Sequence, residues 1–202
     1  TVAGAAAGLV ANGFVDIDVV APRSKMIHLR LADGSEDVAL VDAVTLANDF
    51  VGNRMPVNPT NLRQLLVAVA RPDTIGVSSI AGLHASCDVD QDAAILVQCG
   101  DGGRWTNAPI APGLYRKVPV VEVTRVGLGQ EIDLVGPTTL AFDGDREHQI
   151  SEQDPVVAVV RRDGPRVVNV GVALASGASQ GIFFSDSSGD PSFDHGSAAD
   201  PV

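Results

Sequence analysis

Short runs of apolar and β-branched residues, separated by Gly, Pro and Asp-Gly pairs, restrict the fold of this sequence more than any other feature. In residues 121–124, for example, valines alternate with Glu and Thr. A period of two places apolar side chains on one face of a strand. The 202 residues are 45% hydrophobic and include few aromatics, so they can form a domain with a real core. We therefore expect a mainly β (α+β) protein with a few short helices.

Two internal stretches have the signals of helices. Asn58 is a good N-cap, and Pro59 suits the first helical position. Apolar residues then recur with helical spacing until Pro72, at Leu62, Leu65, Leu66 and Val69. Residues 170–180 are small and mostly apolar, and a glycine follows them as a C-cap. We predict a helix between Asn58 and Pro72 and another over 170–180.

Several other segments are predicted to be strands joined by turns. Residues 75–80 and 93–99 are short apolar runs of the kind found in strands. The glycine-rich residues 100–103 are interpreted as a hairpin turn that closes the second of these strands. Asp163-Gly164 gives a second hairpin signal, between two further apolar segments.

Charge and composition exclude some classes of protein. The formal net charge is −11, and no basic cluster exceeds the pair Arg161-Arg162, so we expect no nucleic-acid partner. No apolar run approaches the ~18 residues of a membrane-spanning helix, so we expect no membrane partner. Cys87 and Cys99 are too few to staple a fold of this size, and reduced thiols in the cytoplasm are the simplest interpretation.

One acidic stretch is the best candidate for a chemical site. An apolar run ends at Phe142, and three carboxylates follow at alternating positions, at Asp143, Asp145 and Glu147. If a strand runs into a turn here, all three acids lie on roughly one side. Asp-Gly makes a tight turn, so a carboxylate there can approach a ligand and accept a hydroxyl proton or hold Mg²⁺. The alternative is a charged hairpin in which Arg146 neutralises the acids.

Three other motifs match a catalytic or metal-binding pattern only in part. Residues 177–181 match G-x-S-x-G, but the serine falls where a helix ends, whereas a hydrolase elbow leads into a helix. Residues 88–92 begin like a calcium loop but lack its turn glycine and its bidentate Glu. His84, Cys87 and Cys99 offer three zinc ligands without a C-x-x-C pair. We assign no metal site.

Four stretches, in order, resemble the NAD kinase-like superfamily and within it the bacterial family of acetoin-catabolism protein X. Residues 138–147, TTLAFDGDRE, are similar to a T-x-A-L-D-G-E-R-E segment of that superfamily. The other stretches are IGVSSIAGL at 75–83, APIAPGL at 108–114 and DGPRVVNV at 163–170. The resemblance covers roughly residues 1–184.

The resemblance implies a division into domains. Members of the superfamily have an N-terminal α/β domain, whose G-G-D-G-T loop binds the nucleotide, and a β-sandwich-like C-terminal domain. Residues 1–35 would be the end of the first domain, including the end of a helix at 1–12, and a linker. Residues 36–184 would be the C-terminal domain of the NAD kinase/diacylglycerol kinase fold, and 185–202 a flexible tail. Because the chain starts with Thr1 and lacks the G-G-D-G-T loop, we expect a fragment of a larger protein.

The same resemblance implies a phosphotransferase. In the full-length protein, ATP with Mg²⁺ would donate a phosphoryl group to a hydroxyl of NAD or of a small acceptor. Asp145 stands where related kinases have the D-G-E glutamate that activates the acceptor, although its side chain is one methylene shorter. Asp143 would fix the turn. No residue of this chain is assigned to cofactor binding, and no tightly bound cofactor is expected.

The alternative is a non-catalytic binding or oligomerisation domain of an acetoin-catabolism-associated protein. Under either interpretation we expect a homo-oligomer, because the β-rich half of such proteins can carry subunit contacts. An exposed apolar sheet face would indicate this role.

Overall fold

The computed structural model describes residues 1–47 and 58–184. These residues form two compact units, one made of residues 1–22 and 168–184 and the other of residues 23–167. The predicted tail at 185–202 lies outside the described residues. The boundary expected after residue 35 remains a prediction about a longer protein.

The bounds of the described elements are as follows. The helices are α1 (Val2–Ala11), α2 (Ile17–Val20), α3 (Ser78–His84) and α4 (Val170–Ser179), with a 3₁₀ turn at Pro59–Asn61. The strands are β1 (Met26–Arg30), β2 (Glu36–Ala39), β3 (Asp42–Leu46), β4 (Leu62–Val67), β5 (Ala93–Ala111), β6 (Leu114–Gly127), β7 (Glu131–Leu134), β8 (Thr138–Phe142), β9 (Arg146–Ile150) and β10 (Val156–Arg161).

Within the described ranges the strands form two antiparallel sheets. One has four strands in the order β2-β1-β10-β7, and the other has six in the order β6-β5-β4-β3-β8-β9. Buried side chains from both sheets share one core, which includes Ile27 and Leu134 from the first and Leu66, Leu140 and Phe142 from the second. The expectation of a mainly β protein with a few short helices is confirmed.

The six-stranded sheet also buries its opposite face. Leu65, Val97 and Val120 pack there with Ile80 and Ala81 of α3. Both faces of β4 and of the first part of β5, through Cys99, are therefore largely covered by protein.

The helix predicted between Asn58 and Pro72 is wrong. The Asn58 side chain does accept a hydrogen bond from the amide of Thr60, at 3.1 Å, but it caps only the 3₁₀ turn. The chain then enters β4. Since β4 is central and buried on both faces, it has apolar residues on both sides, and their spacing imitates a helix.

Three other element predictions also fail. The strand expected at 75–80 is wrong, because helix α3 begins at Ser78. Residues 100–103 do not turn the chain back: β5 continues through them, and both Cys99 and Arg104 pair with Val120 on β6. The four residues form an irregular bulge within one strand. Asp163-Gly164 does not join a hairpin either, because β10 pairs with β1 and β7.

The smaller unit, residues 1–22 and 168–184, is helical. The Thr1 side chain caps α1 by accepting from the amide of Gly4, and Asn169 caps α4 by accepting from the amide of Val172. Leu9 of α1 packs with Ala173 of α4. The helices predicted at 1–12 and 170–180 are both confirmed.

Candidate functional site

The acidic stretch forms the turn between β8 and β9. The last residue of β8, Phe142, pairs with the first of β9, Arg146, so the turn contains residues 143–145. Gly144 has φ 78° and Asp143 has φ 53°. Asp143 is the only described residue other than glycine with a positive φ. Asp is one of the residues that best tolerate this left-handed conformation. The sequence prediction of a strand running into an Asp-Gly turn is therefore correct.

The carboxylate of Asp143 holds the neighbouring chain segment between β2 and β3. It accepts hydrogen bonds from the amide of Leu40 at 2.9 Å and from the amide of Val41 at 2.8 Å. Arg146 donates to its second oxygen at 3.0 Å. The side chain is only 16% exposed. Asp143 is thus a structural acceptor whose lone pairs are largely occupied.

Arg146 connects the turn to β2. Its guanidinium donates to Asp37 Oδ1 at 2.6 Å and to the carbonyl of Val38 at 2.7 Å, in addition to Asp143. Its guanidinium carbon lies 4.5 Å from the centroid of the Phe142 ring, in cation–π geometry. Arg146 therefore pairs with Asp143 and Asp145 of the turn, as in the charged-hairpin alternative, and also with Asp37 on a second strand.

His148 completes the polar arrangement on β9. Its Nε2 lies 3.4 Å from Asp37 Oδ2, and its ring stacks on Phe142 with 5.5 Å between the centroids. Asp37 therefore receives Arg146 and His148 on its two oxygens. Neither Asp37 nor His148 was selected by sequence reasoning. Asp37 is 109 positions from Arg146 and 111 from His148, so no local pattern connects it with either residue.

Asp42 is a buried acid beside this turn. It is only 9% exposed, and its carbonyl accepts a hydrogen bond from the amide of Asp143 at 3.2 Å. Burial, reinforced by the nearby charge of Asp143, raises the pKa of Asp42 to about 7. A carboxyl group that changes charge near neutrality therefore lies next to the turn. The sequence offered no signal for it, because Asp42 looks like any polar residue at a strand end.

Asp145 differs from both of these acids. Its side chain is 66% exposed, and one carboxylate oxygen lies 3.6 Å from Nε of Arg146. Of the two residues predicted to be catalytic, Asp145 is the one whose carboxylate faces solvent. Asp143 and Asp145 lie on the same turn, but the structure gives them different surroundings.

The backbone of the loop at 88–92 binds the ammonium group of Lys25. Nζ of Lys25 donates to the carbonyls of Asp88 at 2.8 Å, Gln91 at 3.2 Å and Ala93 at 2.7 Å. It also donates to Sγ of Cys87 at 3.4 Å. The Lys25 side chain is buried, and desolvation lowers its pKa.

The other sequence motifs find structural explanations. His84, Cys87 and Cys99 form no metal-ligand group, and the described residues contain no such group of three. Both thiols are free and buried, and desolvation raises the pKa of Cys99 to about 12, so this thiol is neutral. Ser179 is the last residue of α4 and donates to the carbonyl of Ser176 at 2.8 Å. This confirms the helix-end interpretation of the G-x-S-x-G match.

Most of the chain matches a known protein family. Residues 25–163 match the C-terminal domain of acetoin catabolism protein X. The match starts at the buried Lys25 and ends at Asp163, so it includes both sheets and the whole acidic turn.

The chain is also similar to a curated relative, acetoin catabolism protein X of Cupriavidus necator. The two are 30% identical over 182 residues, which is 86% of this chain and 51% of the relative. The chain thus spans about half the length of that relative. Among the described residues, no helix is long and apolar enough to cross a membrane.

Proposed function

The chain belongs to the acetoin catabolism protein X family, and we propose that it supplies the acceptor side of a phosphotransferase cleft. In a polypeptide of the relative's length, the other half would hold ATP. The γ-phosphoryl group would pass to a hydroxyl of NAD or of a small acceptor. Acetoin, the hydroxyketone in the relative's name, is one such small acceptor.

The contrast between Asp143 and Asp145 carries this proposal. Asp143 uses its oxygens to fix the turn through Leu40, Val41 and Arg146. Asp145, two residues on, keeps an exposed carboxylate on that fixed turn. A rigid support beneath an accessible carboxylate is what a general base needs, since proton transfer depends on position.

The proposed role of Asp145 is to accept a proton. As the acceptor hydroxyl oxygen forms its bond to the γ-phosphorus, its proton passes to the Asp145 carboxylate. The bond from the γ-phosphorus to the bridging oxygen breaks, and ADP leaves with that electron pair. Nε of Arg146, 3.6 Å from the carboxylate, helps to hold Asp145 in orientation.

ATP and Mg²⁺ are assigned to the half of the protein outside this chain. Phosphoryl transfer depends mainly on positioning and on neutralising the phosphates. The described residues contain no group of three His, Cys, Asp or Glu that could hold a metal ion. The chain on its own is therefore expected to transfer no phosphate.

The test is phosphoryl transfer by a family-length polypeptide that contains this chain, with NAD and acetoin as acceptors. Asp145→Asn should lower kcat by about 100-fold or more, the usual contribution of a general base. Asp145→Glu should retain activity, since it keeps the carboxylate. Glu147→Gln is the matched control, because it removes one charge from the same hairpin, and it should change the rate less than threefold. An unchanged rate in Asp145→Asn removes Asp145 from the mechanism.

A second candidate function is assembly without catalysis. Trp105 on β5 and Tyr115 and Val121 on β6 are large and exposed, and β6 is an edge strand. Such a face suits contact between copies of the chain. Light scattering and calorimetry with NAD and ATP distinguish the two candidates. If a family-length polypeptide forms a dimer and binds neither NAD nor ATP, the result favours assembly without catalysis.

A further inference from the structure

A cleft opens where β4 and β5 meet the connection between β7 and β8. Its walls include Arg63 and Gln64 of β4, Gln98 and Cys99 of β5, and the connecting residues 135–137. The cleft has a volume of about 300 Å³. That volume equals about ten water molecules and lies at the lower end of the range of small-molecule sites. The cleft can therefore hold a small ligand.

This cleft is cationic in an acidic protein. The chain has 25 Asp and Glu residues against 14 Lys and Arg. Among the described residues that line the cleft, none is acidic, and Arg63 is the only one with a formal charge. Cys99 contributes a neutral thiol, because burial raises its pKa to about 12. The charge of the cleft therefore favours an anionic ligand.

The guanidinium group of Arg63 is held by one nitrogen and keeps two others available. Its Nη1 donates to the carbonyl of Thr60 at 2.7 Å and to the carbonyl of Leu62 at 3.2 Å. Within residues 1–47 and 58–184, its Nε and Nη2 have no hydrogen-bond partner. These two nitrogens form one edge of the guanidinium, with parallel N–H donors that match the two oxygens of a carboxylate.

The two glutamines of the cleft have different roles. They lie directly opposite each other on β4 and β5. Gln64 is buried, and its amide bonds to the carbonyl of Asp133 at 3.1 Å and to the amide of Val135 at 3.0 Å, which fixes one wall. Gln98 is half-buried, and its side-chain amide makes no hydrogen bond to the part of the chain that the structure describes. It can therefore offer a donor and an acceptor to an oxygen of a ligand.

We propose that this cleft binds a small monocarboxylate with a hydroxyl or oxo group next to the carboxyl carbon and a short apolar tail. Arg63 binds the carboxylate through Nε and Nη2, and the Gln98 amide binds the neighbouring oxygen. The tail packs on the apolar part of the lining, formed by Ala47, Val135 and Pro137. A phosphate dianion fits less well, because Arg63 supplies a single compensating charge.

The cleft is separate from the acidic turn. Thr138 lines the cleft and begins β8, whereas the turn follows Phe142 at the other end of that strand. A strand rises ~3.4 Å per residue, so these two ends lie about 14 Å apart. The inference goes beyond the proposed phosphotransferase chemistry and does not depend on it.

The test is an NMR titration of the 202-residue chain with 2-hydroxyisocaproate. The side-chain amide signal of Gln98, identified by its loss in Gln98→Met, should shift with a Kd on the order of 1 mM. The uncharged analogue 2-hydroxyisocaproamide keeps the shape of the probe and lacks its charge, so it should bind at least about tenfold more weakly. Inorganic phosphate, at matched ionic strength, should leave the Gln98 signal in place.

Variants of Arg63 test the predicted contact. Arg63→Lys keeps the charge but loses the paired donors, so it should weaken binding of the acid by about tenfold. Arg63→Met should weaken binding further. Arg116→Met is the matched control, because it removes one positive charge from β6 outside the cleft, and it should change the Kd by less than about twofold. Melting temperatures without ligand show whether each variant is folded.

Four results would overturn the inference. The first is a Gln98 signal that does not move at about 20 mM of the acid. The second is equal affinity for the acid and its amide, and the third is equal affinity in Arg63→Met and Arg116→Met. The fourth is a phosphate titration that shifts Gln98 as much as the acid does, since the cleft would then bind anions without selecting a carboxylate. These readouts do not involve phosphoryl transfer, so a failure of the proposed activity is seen separately.

Discussion

The carboxylate of Asp143 accepts a 2.8 Å hydrogen bond from the amide of Val41, a residue 102 positions earlier in the sequence. This contact, with those to Leu40 and Arg146, connects the β8–β9 turn to the segment between β2 and β3. The turn is therefore held from outside its own hairpin. Hydrogen bonds to charged groups are the stronger class, so Asp143 should matter for stability as well as for the shape of the site.

Removing the Asp143 carboxylate should destabilise the fold. Asp143→Ala leaves the amides of Leu40 and Val41 and the Arg146 guanidinium without this acceptor. Because Leu40 and Val41 are partly exposed, water compensates in part, and the expected loss is about 1–3 kcal/mol. Chemical denaturation at pH 7 measures it. Asp145→Ala is the matched control on the same turn and should change stability by less than about 0.5 kcal/mol. Equal losses would show that Asp143 does not anchor the turn.

Asp42 should give stability a distinctive dependence on pH. Burial raises its folded-state pKa to about 7, above the ordinary value of 3.8. Between these values the folded state holds a proton that the unfolded state has lost. The contribution of Asp42 to stability is therefore largest below pH 3.8 and is lost as the pH rises to about 7, by at most roughly 4 kcal/mol.

Asp42→Asn isolates that contribution. As the pH rises from 4.5 to 8, the wild type should lose stability relative to the variant. The free energy of unfolding of wild type minus that of Asp42→Asn should therefore decrease. Subtraction removes the contributions of groups common to both proteins. A difference that stays constant over this range would mean that Asp42 titrates normally.

Gln64 connects the two sheets through its side-chain amide. It donates to the carbonyl of Asp133 at 3.1 Å and accepts from the amide of Val135 at 3.0 Å. Gln64→Met keeps the length of the side chain but leaves both backbone groups unpaired, so we expect a loss of about 1–3 kcal/mol. Gln98→Met is the control, since Gln98 lies directly opposite on β5. In urea titrations of both variants, Gln98→Met should lower the free energy of unfolding clearly less than Gln64→Met does. The reverse order would refute the bridging role of Gln64.

Local signals in the sequence predicted the local features of this structure. The Asp-Gly turn at 143–144, the capping role of Asn58 and helix α4 all depend on neighbouring residues, and each is present. The mainly β character followed from alternation and turn residues. The resemblance to the acetoin-catabolism protein X family was also correct, because four motifs in order carry more information than any one of them.

Features set by distant contacts were missed. β4 was predicted as a helix because its burial on both faces comes from strands and a helix elsewhere in the chain. The roles of Asp37 and Asp42 depend on a turn about 100 positions away, which no local pattern records. The contact of Lys25 with the backbone carbonyls of the loop at 88–92 was missed as well, because Lys25 lies more than 60 positions earlier in the sequence.

Lys25 should stabilise the loop at 88–92 more than the more exposed Arg162 does. Its ammonium group donates to three backbone carbonyls and is buried. Lys25→Met removes the ammonium donor that these three carbonyls share, so we expect a loss of about 2–4 kcal/mol and faster amide hydrogen exchange in residues 88–93. Arg162→Met is the matched control, because Arg162 donates to the same loop at Val89 and Asp92 from a more exposed position. Exposed ion pairs contribute little, so this variant should lose less than about 1 kcal/mol. If the two variants lose similar stability, or exchange in the loop is unchanged in Lys25→Met, the buried ammonium does not organise the loop.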